Sequence, residues 1–68
     1  MDEETNAKIR ELRHKLINSM TVILGHTQIL LDGLVGELND EQKNRVLKVK
    51  ETSEKLTAFI RDCLADNP

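Results

Sequence analysis

On a helical wheel, residues 9–31 carry apolar side chains over an arc about twice as wide as the stripe that faces one neighbouring helix. With heptad position a at Ile9, Leu16, Ile23 and Leu30, position d holds Leu12, Ser19 and His26. Position e holds Arg13, Met20 and Thr27, b holds Ile17, Leu24 and Leu31, and g holds Lys15, Val22 and Ile29. These five positions are contiguous round a helix, and from residue 16 onward most of them are apolar. The polar remainder is a narrow ridge at c and f: Glu11, His14, Asn18, Thr21, Gly25, Gln28 and Asp32. Such a helix needs at least two partners.

The helical pattern breaks once, at Asp32-Gly33-Leu34-Val35-Gly36-Glu37-Leu38-Asn39-Asp40. Gly33 suits the C′ position of a helix, where positive φ is needed. Asn39 followed by Gln42 reads as an N-cap with its third-position partner, and Asp40 and Glu41 complement the positive end of the helix dipole. The spacing therefore predicts helix 1 over about 3–32, a loop over 33–39 and helix 2 over about 40–65, with Asp66-Asn67-Pro68 ending it. The expected seam of helix 2 is Gln42, Val46, Val49, Ser53, Leu56, Ile60 and Cys63, flanked by Leu47, Phe59 and Leu64. A short loop between two long helices makes an antiparallel hairpin.

One further helix cannot cover the arc of helix 1. A chain of 68 residues buries only about 60% of its unfolded surface and is marginal alone. It has one Cys and two His, without ligand spacing, so disulfide and metal staples are disfavoured and self-association remains. The expected fold is all-α: a single domain over 1–68, a two-helix antiparallel hairpin forming a dimeric four-helix bundle.

Aromatic residues are 1% of the chain and net charge is −2. The first disfavours an all-β fold, and the second a nucleic-acid partner. No apolar run approaches the ~20 residues of a membrane span, and the acidic start Asp2-Glu3-Glu4 does not resemble a signal peptide. The expectation is a cytoplasmic domain, or the cytoplasmic part of a membrane-bound sensor, without direct membrane insertion.

His14 sits on the ridge, with Arg10 and Asn18 one turn away and Glu11 and Ile17 also within reach. Its position fits an ordinary exposed histidine or an imidazole offered as a nucleophile. His26 at d and Cys63 on the second seam are expected as core residues. Gly25, mid-helix, costs about 1 kcal/mol relative to Ala, which suits close approach of another body or a local bend. No Gly-rich phosphate loop of the P-loop type is present, so any ATP arrives on another domain.

The segment Glu11-Leu12-Arg13-His14-Lys15-Leu16-Ile17-Asn18-Ser19-Met20-Thr21-Val22-Ile23-Leu24-Gly25 resembles the H-box of sensor histidine kinases, in their dimerisation and histidine phosphotransfer domain. His14, Leu16, Asn18, Ile23 and Gly25 match that pattern. Gly36–Gln42 and Ser53–Leu64 are similar to the family's turn and second helix, so the resemblance covers about 11–64. It implies that His14 accepts the γ-phosphoryl of ATP and passes it to an aspartate on a response-regulator receiver domain. It implies that Asn18 orients water when the regulator is dephosphorylated. It also implies a homodimer, with ATP and Mg2+ on a separate kinase domain of the same protein and no cofactor in this one. The family usually has an acidic residue directly after the histidine; here Lys15 stands there, and Glu11 is the substitute proton acceptor. Ile17, Thr21, Val22, Leu24 and Gly25 are the expected docking residues for the receiver. The alternatives are a non-catalytic dimeric bundle and a stand-alone phosphorelay module.

Overall fold

A computed structural model describes residues 2–64. It contains two helices, α1 (Glu3–Leu31) and α2 (Asp40–Cys63), packed against each other. The described residues contain no strand. The expected end of helix 2 at 65 and the terminal Asp66-Asn67-Pro68 lie outside the described residues.

Local chemistry sets each helix end. Asp2 caps α1, its Oδ1 accepting the Thr5 backbone N–H at 2.8 Å. That bond, with help from the Thr5 side chain, holds the Asp2 carboxyl below its ordinary range. At the other end Gly33 takes φ 74°. Its N–H donates to the Leu30 carbonyl and the Leu34 N–H to the Ile29 carbonyl, the paired bonds of a Schellman stop. Asn39 and Gln42 form a reciprocal capping box: Asn39 Oδ1 accepts the Gln42 N–H at 2.8 Å, and Gln42 Oε1 accepts the Asn39 N–H at 2.9 Å. The chain reverses between these two caps, and the Arg13 guanidinium donates to the Leu64 carbonyl at 3.1 Å, tying the end of α2 to α1 ten residues after its start.

The seam between the helices is narrow. Its buried residues are Met20 and Thr27 from α1 and Ser53, Thr57 and Ile60 from α2. Val46, Lys50 and Leu64 are half-buried along α2, continuing an alternating spacing of three and four residues that keeps one stripe on α1. Two expectations are corrected here. The contact stripe of α1 centres on e (Arg13, Met20, Thr27), and His26 is exposed. On α2, Gln42, Val49, Leu56 and Cys63 are exposed, while Lys50, Thr57 and Leu64 complete the stripe. The a/d reading merged two neighbouring faces, of which only one meets the other helix.

A second face, beside the seam, is apolar and open: Leu12 and Ile23 of α1 and Val49, Leu56 and Phe59 of α2 remain exposed there, while Val22 and Ile29 are exposed on the back of α1 and Leu47 on the flank of α2 that carries Lys43 and Glu54. Viewed from one end, residue order runs clockwise round α1 and anticlockwise round α2. Stepping round by about 100° per residue, Leu12 and Ile23 and, on α2, Val49, Leu56, Phe59 and Cys63 are displaced from the seam toward the same side of the hairpin. The other side carries Arg10, Thr21 and Gln28 from α1 and Lys43, Glu54 and Arg61 from α2.

Ile60→Ala removes one of the two apolar side chains buried among the described residues and is expected to cost about 2–4 kcal/mol in denaturant unfolding. Asn39→Ala removes one half of the capping box and is expected to cost about 1 kcal/mol.

Candidate functional site

His14 lies in the second third of α1, on the polar side of the hairpin, and is exposed. Among the described residues it has no hydrogen-bond or ion-pair partner. Helical side chains lean toward the N-terminus, so its imidazole lies over the turn that carries Arg10 and Glu11. Asn18, one turn later and also exposed, leans back toward His14.

The charges around His14 fall into an ordered set. Glu11 Oε1 meets Lys15 Nζ at 3.0 Å, the favourable order for an i,i+4 pair. The carboxylate expected to serve His14 is therefore engaged by the cation that stands in the family's acidic position. Lys8 pairs with Glu4 at 3.5 Å, and Arg13 bonds the Leu64 carbonyl. Arg10, exposed and one turn before His14, has no such partner among the described residues. In the sequence Arg10 is marked only by its place one turn from His14.

The expected docking residues divide into two groups. Thr21, Val22 and Gly25 are exposed, and Val22 keeps 59% of its surface open. Ile17 and Leu24 are half-buried, on the flank of α1 that turns toward α2. The Thr21 hydroxyl donates to the Ile17 carbonyl at 2.9 Å, so it is satisfied within its own helix. A Cβ added at Gly25 would meet nothing within 4 Å. The hairpin itself therefore imposes no need for glycine there.

Among the described residues no group of three His, Cys, Asp or Glu is placed to hold a metal ion, and no helix is long and apolar enough to cross a membrane. What the arrangement offers is one accessible imidazole on a flat, mostly neutral ridge with an unspent cation beside it. Set against family models, curated proteins and solved structures, the chain matches none.

Gly25→Ala is expected to raise stability by up to about 1 kcal/mol, the helix-propensity difference, measured as an increase in melting temperature. A lower melting temperature would show that something already closes on this position.

Proposed function

We infer that this chain is the dimerisation and histidine phosphotransfer domain of a two-component sensor histidine kinase. Two hairpins pack through their apolar faces into a four-helix bundle. An ATP-binding kinase domain of the same protein, in the cytoplasm, brings ATP and Mg2+ to His14. A neutral ring nitrogen of His14 attacks the γ-phosphorus, the bond to the ADP oxygen breaks, and the proton on the other ring nitrogen is released. The reverse polarity of events then delivers the phosphoryl to a receiver-domain aspartate, whose carboxylate displaces the imidazole.

One observation carries this reading beyond the H-box resemblance. His14 stands on the polar side of the hairpin and the uncovered apolar face on the other. Two copies can therefore pair without covering the histidine. The dimensions support pairing. The radius of gyration is 15.7 Å, against about 11 Å for a compact chain of this length. The hairpin exposes 5490 Å², roughly 1,100 Å² more than a compact protein of its mass, and a specific interface takes about 800 Å² from each partner.

Phosphoryl transfer depends mostly on positioning and charge stabilisation. The ridge below His14 supplies a surface for it. Asn18 holds water for regulator dephosphorylation, and Thr21, Val22 and Gly25 leave room for the receiver. Ile17 and Leu24 support that surface from its half-buried edge. Glu11 serves as proton acceptor only when Lys15 releases it.

Supplied with the kinase domain and ATP, the chain is expected to acquire a base-stable, acid-labile phosphate that disappears in His14→Gln. No such phosphate would leave a non-catalytic bundle. Val22→Glu is expected to slow transfer to the receiver severalfold at unchanged melting temperature, because Val22 lies outside the seam. Asn18→Ala is expected to slow regulator dephosphorylation more than forward transfer, read from the two rates on the same protein.

A further inference from the structure

We propose that Arg10 is a phosphoryl-binding residue that draws the donor to His14 and holds the phosphoryl group once it is there. The inference deepens the phosphotransfer reading and rests on it. It starts from how the cations of α1 are used. Lys8 is taken by Glu4, Lys15 by Glu11, and Arg13 by the Leu64 carbonyl. Arg10 is exposed and uncommitted among the described residues. It lies one turn N-terminal to His14, a spacing that puts Cβ atoms about 6 Å apart; both side chains lean toward the N-terminus, Arg10 lining a surface hollow with Glu3, Glu4, Asn6 and Ala7, so its guanidinium must swing back to meet a phosphoryl group on the imidazole.

The surrounding charges make this cation count. Glu11, the one acidic residue within a turn of His14 on α1, is neutralised by Lys15 at 3.0 Å. The balance beside the imidazole is therefore positive, although the whole chain carries −2. An arginine presents a planar fork of N–H donors that matches two phosphoryl oxygens at once, which a lysine cannot do. His26 provides a contrast within the same helix. It is exposed in the hairpin, but its neighbours three and four residues away are Val22, Ile23, Ile29 and Leu30, none of them charged.

Phosphoramidate tests this without any kinase domain. It is a small anionic donor: a histidine ring nitrogen forms the new N–P bond, the donor's own N–P bond breaks, ammonia leaves, and the ring's other N–H proton passes to water. The whole chain is treated with phosphoramidate, and the rates at His14 and His26 are read separately by 31P NMR. Arg10→Met is expected to lower the ratio of His14 to His26 rates two- to fivefold, the range for an exposed charge contact. Arg10→Lys should fall between Arg10→Met and the natural chain. Added salt should bring the natural ratio down toward that of Arg10→Met while leaving Arg10→Met flat. Circular dichroism of the variants should be unchanged, because Arg10 is exposed. An unchanged ratio in Arg10→Met, equal losses at both histidines, or no reaction at His14 would overturn the proposal. Failure of the phosphotransfer reading shows itself elsewhere, as absence of kinase-dependent phosphate on His14, while the phosphoramidate ratio still reports on Arg10.

Discussion

A helix can hand its apolar side chains to one neighbour only over a little more than a quarter of its circumference. α1 carries about twice that, and α2 meets only part of it. The part that is met is modest. Among the described residues Met20 and Ile60 are the buried apolar ones, at 7% and 5% exposure, and three of the five buried positions bear hydroxyls. Those hydroxyls ask nothing of the opposite helix where the structure shows their bonds: Thr57 donates to the Ser53 carbonyl and Thr27 to the Leu24 carbonyl. The seam thus aligns the helices and satisfies their polar groups. It does not supply a core large enough to offset the ordering of two long helices. In the proposed bundle a second copy covers the open apolar face with a face of the same chemistry in a two-fold arrangement.

This demand organises the rest of the surface. The apolar face beside the seam, with Ile23, Leu56 and Phe59, lies on one side of the hairpin, and the histidine ridge on the other. Had His14 fallen at a or d, association through the apolar face would bury it; at f it stays exposed, as the proposed phosphotransfer requires. The same ridge is nearly neutral below His14, through Asn18, Thr21, Gly25 and Gln28, while Arg10 stands one turn above it.

Much of this was legible in the sequence, and the reason is locality. The break, the Gly33 stop and the Asn39–Gln42 box each depend on residues within one turn, and the structure places them as the spacing predicts. The exposure of His14 follows from its offset on the wheel. The Glu11–Lys15 pair follows from i,i+4 spacing, but its consequence for the proton acceptor needed the 3.0 Å contact. The seam register was not legible. An a/d pattern records every apolar contact a helix is built for, without saying which belongs to its own hairpin. His26 and Cys63 were assigned to the seam for that reason and lie on the open side. Arg10 stood out only when the neighbouring cations were seen to be occupied.

The proposed bundle requires that a second copy of the chain cover the apolar face. Sedimentation equilibrium over a micromolar concentration series measures this most directly. The account predicts a species of twice the 7.8 kDa chain mass, with helical signal lost together with the dimer on dilution. A fully helical 7.8 kDa species that persists through the dilution series would contradict it.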